Sequence, residues 1–150
     1  MEKFASSVFE AEQLCERGDA HSDQGDFDAA IAAYTQALRF NPDMLAAFVG
    51  RGIVSYKLKS WDKAIGDFTQ ALRRAPHFTV ALINRGNAYI QRGDLDKAIA
   101  DFSKAIEFDG ESYRAYLGRS LAFEAQEKHR ESEFDQQKAA VLASEQGVEI

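Results

Sequence analysis

Residues 79–112 read TVALINRGNAYIQRGDLDKAIADFSKAIEFDGES, and the fold turns on this stretch. Ala98, Phe102 and Ala105 stand at i, i+4 and i+7, so they share one face of a helix. Leu82, Gly86 and Tyr89 mark a preceding helix, and Gly93-Asp94 separates the two. That pair has the chemistry of a turn. Glycine accepts the positive φ at a helix C-terminus, and aspartate caps the helix that follows. The stretch therefore predicts two helices folded into a hairpin.

The hairpin is written four times. Arg17-Gly18, Arg51-Gly52, Arg85-Gly86 and Arg119-Ser120 recur at intervals of 34 residues, which gives units 11–44, 45–78, 79–112 and 113–146. A ten-residue lead precedes them and four residues follow. Ala30, Ala64, Ala98 and Ser132 keep the second helices small where two helices approach closely. Tyr34, Phe68 and Phe102 follow one turn later, then Ala37, Ala71 and Ala105. Asn41-Pro42 and Ala75-Pro76 end the second helices, because proline restricts the residue before it and brings no amide donor. Asp109-Gly110 takes that place in the third unit. Phe4 and Val8 stand one turn apart with no breaker before Gly18, so the first helix is expected to begin near Glu2 and overhang the array.

Composition narrows the class. The chain has 150 residues, of which 45% are hydrophobic and 11% aromatic, enough for one short array and not for two ordinary domains. A single domain over 1–150 is the simplest expectation. The formal charge is −6 and the 18 basic residues are interspersed with acids, which argues against a nucleic-acid partner. The first ten residues lack the continuous apolar core of a signal peptide, and no 18 apolar residues run together, so no membrane partner is expected. A lone Cys15 fits a reducing compartment, and a cytoplasmic location is the expectation.

With these positions in hand, the chain resembles the tetratricopeptide repeat (TPR) family. The matching residues are Leu14, Gly18, Ala30, Tyr34, Ala37 and Pro42 in the first unit. Phe48, Gly52, Ala64, Phe68, Ala71 and Pro76 match in the second, and Leu82, Gly86, Tyr89, Ala98, Phe102 and Ala105 in the third. The match is strong over 11–112 and weak over 113–146, where Gln136 replaces the aromatic. The resemblance implies an all-α fold: a right-handed α-solenoid of stacked helix-turn-helix repeats, with three clear units and a degenerate fourth acting as cap. The polar run from Glu131 to Lys138 suits a helix with a solvated face.

The resemblance also implies function on the concave face lined by the first helix of each unit. There the first unit presents Glu12, Cys15, Asp19 and Ser22, and the fourth presents Arg114, Leu117, Leu121 and Glu124. Between them come Ala46, Val49, Ile53 and Tyr56, then Val80, Ile83, Asn87 and Ile90. The candidate partner-binding residues are Val49, Ile53, Tyr56, Val80, Ile83, Asn84, Asn87, Ile90, Arg114, Leu117 and Leu121. Against this stands packing between neighbouring units, which would account for Val49, Ile83 and Leu117 at one-repeat intervals. An exposed apolar stripe of this size marks an interaction site. Two readings follow. In one, the chain is a non-catalytic adaptor or scaffold that holds an apolar peptide or helix of another protein; in the other, the groove or the N-terminal overhang binds a second copy. TPR modules that hold the acidic tails of heat-shock chaperones use lysines and an arginine where this chain has Cys15, Val49, Ile83 and Gly118, which argues against that ligand.

No catalytic, cofactor or metal constellation is legible. His21, His77 and His129 lie on different elements without the i, i+4 spacing of a helical metal site. Cys15 sits beside Glu16 and Asp19, which would raise a thiol pKa, so it is a poor nucleophile. Asp67, Asp101 and Asp135 follow Arg51, Arg85 and Arg119 by sixteen residues, whereas Ala33 holds that place for Arg17. This predicts a cross-helix ion pair inside each of the last three hairpins, partly exposed and contributing about 0–1 kcal/mol.

Overall fold

The computed structural model describes residues 2–150, with side chains described from Ser6 onward. Among the described residues there are eight α-helices and no strand. They are α1 (Glu2–Asp23), α2 (Phe27–Phe40), α3 (Leu45–Lys57), α4 (Trp61–Arg74), α5 (Thr79–Arg92), α6 (Leu95–Phe108), α7 (Tyr113–Ala125) and α8 (His129–Glu145). The chain divides into two compact units, the first ending at Pro76 and the second beginning at His77. In the first, hairpin α1/α2 packs on hairpin α3/α4; in the second, α5/α6 packs on α7/α8. No described helix is long and apolar enough to cross a membrane.

The turns explain the hairpins. Gly25, Lys59, Gly93 and Glu127 stand 34 residues apart and all adopt positive φ, between 59° and 89°. Glycine is the residue suited to this position, yet two of the four turns manage without it. Asp26 caps α2 by accepting a bond from the Ala29 amide at 3.3 Å. Asp94 does not cap α6 as its place in the turn predicts; its carboxylate instead accepts a bond from Arg92 Nε at 2.6 Å. At the third boundary, Asp109 accepts the Glu111 amide at 3.1 Å, an Asx turn that does the work of proline.

The core of each unit is an aromatic ring held between two glycines. A Cβ placed on Gly18 would lie 2.6 Å from the Tyr34 ring, and one on Gly50 would lie 2.5 Å from it. Phe102 stands in the same way between Gly86, at 2.8 Å, and Gly118. The first glycine belongs to the ring's own hairpin and the second to the next one, so one side chain joins both packing layers. Tyr34 and Phe102 are completely or almost completely buried. Cys15 packs into the Tyr34 cluster with Ala30, Ala37, Ala47 and Val54. Burial, then the charges of Asp19 and Glu16, push its thiol up to about 11. The fourth hairpin has no ring to wedge: Ser120 Oγ donates to the Leu117 carbonyl at 2.7 Å, and Gln136 donates to Ser132 Oγ at 3.1 Å.

The arginine-aspartate periodicity becomes three bidentate pairs. Arg51 donates to Asp67 at 2.9 and 2.8 Å, Arg85 to Asp101 at 2.7 and 2.7 Å, and Arg119 to Asp135 at 2.7 and 2.9 Å. The carboxylates are more deeply buried than a surface pair would be: the Asp101 side chain is 6% exposed and the Asp135 side chain 1%. The hydrogen bonds to these carboxylates hold the Arg85 and Arg119 guanidinium pKa values up against the opposing effect of burial. The remaining guanidinium nitrogen of Arg51 donates to Thr35 Oγ1 at 3.1 Å, and that of Arg119 to Ser103 Oγ at 3.1 Å. Each of these two arginines thus ties its own hairpin to the preceding one.

Two outcomes follow from this packing. Arg119→Ala strands a buried carboxylate and is expected to cost about 3–5 kcal/mol in urea unfolding, whereas replacing Arg119 and Asp135 together with Met and Leu is nearly neutral. A loss below about 1 kcal/mol for the single change would return the pair to the surface class. Cys15 is expected to react with a thiol reagent at pH 8 about a hundredfold or more slowly than a free cysteine, its rate rising as pH approaches about 11. Rapid labelling of the native protein at pH 8 would contradict its buried environment.

Candidate functional site

In the second unit, α5 and α7 lie side by side and leave a concavity of about 290 Å³ between them. It is lined by Val80, Ile83, Asn84 and Asn87 from α5 and by Arg114, Leu117, Gly118 and Leu121 from α7. The spacings explain the convergence: residues three, four and seven apart share one helix face. Val80 is 48% exposed and Leu121 54%, so its rim presents aliphatic surface to solvent. Ile83 also packs against the Phe102 cluster and joins the floor of the site to the core. Gly118 widens the concavity and, on its other side, admits the Phe102 ring.

Amide groups enter from α5 and a cation from α7. Asn84 Nδ2 donates to the Val80 carbonyl at 2.9 Å, which leaves its Oδ1 able to accept. Asn87 makes no side-chain hydrogen bond among the described residues, so its amide can both donate and accept. Arg114 is the one charged group of this lining; its Nε donates to the Tyr113 hydroxyl at 3.2 Å. The arrangement is an apolar depression with amide groups along one wall and a cation at the rim. It has the makings of a side-chain and backbone recognition site, since apolar area supplies affinity and a few placed polar groups supply orientation.

The remaining candidates fall elsewhere. Ile90 packs with Ile99 against the Phe102 and Ala122 cluster, so it serves the core. Val49 is only 8% exposed and is likewise a packing residue. Tyr56 stands edge-on to Trp61 with ring centroids 5.0 Å apart. Ile53 borders a separate pocket of about 240 Å³ in the first unit, with Asp19, Ser22, Asp23, Tyr34, Gly50 and Lys57. There the Tyr34 hydroxyl donates to Asp19 Oδ1 at 2.6 Å, and burial followed by this bond pushes the phenol pKa up. Cys15, predicted to face the groove, is buried instead. Helical spacing assigns a face but cannot separate its solvent edge from its packed edge, so spacing alone puts Val49 and Ile90 among the candidates and Cys15 on the groove face.

The comparisons with known proteins agree on the architecture. Two tetratricopeptide repeat family models match, one over residues 15–77 and one over residues 79–112. Comparison with curated proteins finds no significant match. Among solved structures, MamA from Desulfovibrio magneticus RS-1 superposes with a TM-score of 0.84 at 24% identity, covering 91% of this chain and 77% of its own. The first TPR of Spaghetti (RPAP3), bound to the HSP90 peptide SRMEEVD, gives 0.77 at 24% identity over 79% of this chain and 94% of its own. A tetratricopeptide repeat protein from Parabacteroides merdae gives 0.81 at 28% identity over 91% and 52%. These likenesses establish an all-α fold of helical repeats, the class of the α-solenoids. With the family models covering most of its length, the chain belongs to the tetratricopeptide repeat family.

Proposed function

We propose that the chain is a non-catalytic protein-interaction module that binds an apolar peptide or helix of another protein in the α5/α7 concavity. The observation that carries this reading is the joint exposure of Val80 and Leu121 around a depression already floored by Ile83 and Leu117. Contiguous apolar surface on a soluble domain is costly unless something covers it. Asn84 and Asn87 are placed to bond the backbone of an extended peptide, and Arg114 to meet a carboxylate or carbonyl at its end. An acidic chaperone tail is not the ligand we propose. The places where the resemblance puts carboxylate-holding lysines are Cys15 and Val49, both buried, and the apolar Ile83; the arginine place is Gly118.

A second reading rests on α1. This helix has 22 residues against 13 or 14 in α3, α5 and α7, and Phe9 on its added turns is 59% exposed. An apolar overhang can serve self-association as readily as capping. The side chain of Phe4, the other apolar group expected there, lies outside the described residues.

Peptides selected from a random display library on the wild-type protein are expected to be rich in aliphatic and aromatic residues. Val80→Asp/Leu121→Asp is expected to weaken them by about tenfold or more without changing the melting temperature, since both side chains are half exposed. Equal binding to the variant, or a selected set dominated by acidic peptides, would overturn the reading. If the overhang mediates association, light scattering on protein lacking residues 1–10 shows fewer chains per particle than the full chain at equal concentration. An unchanged number of chains per particle would remove α1 from any assembly.

A further inference from the structure

The fourth unit departs from the repeat on a surface that the concavity does not use. Its last helix, α8, carries Phe134, 66% exposed, and Val141, 53% exposed. At the place of Phe134 the earlier units have Ala32, Gly66 and Ala100, and at the place of Val141 they have Arg39, Arg73 and Glu107. This outward face is therefore apolar only in α8, the helix whose sequence reads as a polar cap. Phe134 also borders a shallow cavity of about 340 Å³ shared with Phe123 and Arg130.

The order of residues along that face says what covers it. On a helix of 3.6 residues per turn, Arg130, Phe134, Gln137, Lys138, Val141 and Glu145 fall within one stripe about 100° wide. Read from either end, the stripe runs charged, apolar, two polar, apolar, charged, with opposite charges at the two ends. Laid antiparallel against a copy of itself, Phe134 meets Val141 of the second copy and Gln137 meets Lys138. Arg130 then meets Glu145 of the second copy at both ends of the seam. Arg130 and Glu145 make no ion pair or hydrogen bond among the described residues, whereas Arg51, Arg74 and Arg119 are all engaged within the chain. A two-fold contact requires this kind of self-complementarity, in which each residue's partner returns the same contact.

We propose that the outward face of α8 is a two-fold dimerisation surface whose occupant is α8 of a second copy of this chain, packed antiparallel. The charged ends set the direction and register, because a parallel pairing would place Arg130 against Arg130 and Glu145 against Glu145. One helix face about 25 Å long buries less area than a standard stable interface, so the dimer is weak and concentration-dependent. It leaves the α5/α7 concavity free and doubles its number per particle, which favours multivalent ligands.

Sedimentation velocity across a concentration series tests this on the full chain. The wild type is expected to shift reversibly from monomer to dimer, and Phe134→Glu is expected to weaken the dimer about tenfold or more with unchanged helical circular dichroism and melting temperature. The decisive arm uses charge. Arg130→Glu and Glu145→Arg should each be monomeric alone, because each places like charges at both ends of the seam. Mixed in equal amounts they should form a heterodimer, in which both ends are again opposite in sign. A wild type that stays monomeric at every concentration, a dimer indifferent to Phe134→Glu, or a mixture of the charge variants that fails to associate would overturn the proposal. Removal of residues 1–10 is expected to leave this dimer intact, which separates it from association through α1.

Discussion

An aromatic ring can lie flat against a helix backbone only where that helix has no Cβ, and the packing of both units follows from this exclusion. Tyr34 rests against Gly18 of its own hairpin and Gly50 of the next; Phe102 rests against Gly86 and Gly118. The ring is the largest buried group in each case and contacts two neighbouring helices at once, so it sets the spacing within a hairpin and between hairpins together. Alanine at any of these glycines would press on the ring, and a smaller ring position would leave a void. The fourth hairpin shows the consequence of losing the wedge. With Gln136 in its place, Ser120 and Ser132 satisfy polar partners locally, and α8 ends the repeat pattern.

Around these rings the polar interactions divide between direction and depth. The Arg51, Arg85 and Arg119 forks grip aspartates that are largely removed from water, and two of them also bind a hydroxyl on the preceding hairpin. A buried ion pair gains little net free energy over an apolar pair, but it is costly to break. Such a pair punishes alternative registers more than it stabilises the correct one. An array of four nearly equivalent 34-residue hairpins has many alternative registers, and the geometry suits that problem.

Much of this was legible in the sequence because the repeat multiplies each signal. The hairpin boundaries followed from Gly25, Gly93, Pro42 and Pro76, and the arginine-aspartate pairs from their shared interval of sixteen residues. What periodicity could not supply was depth. Val49 and Ile90 share a face with exposed residues and yet are packed, and the Asp135 carboxylate is buried although it stands in a polar run with Glu131, Glu133 and Lys138. The packing role of Gly50 and Gly118 is also hidden in the sequence, since it depends on a ring from another hairpin. Thr35 and Ser103, which accept from Arg51 and Arg119, stand at the same place of the first and third repeats, so the sequence does carry that signal. Phe134 lies among polar residues, and Val141 lies in the apolar run 139–143, whose Ala139, Leu142 and Ala143 belong to the core, so neither stands out as exposed apolar surface.

The fold supports a protein-interaction scaffold, and the ligand site proposed for it lies in the second compact unit, where α5 and α7 bring Val80, Ile83, Leu117 and Leu121 around one depression. A nitrogen-labelled sample titrated with a selected apolar peptide, followed by amide chemical shifts, tests that claim most directly. The account predicts that the saturating shifts cluster on α5 and α7, with the side-chain amides of Asn84 and Asn87 among them. Shifts confined to α2 and α4, or to the outward face of α8, would place the ligand elsewhere and contradict it.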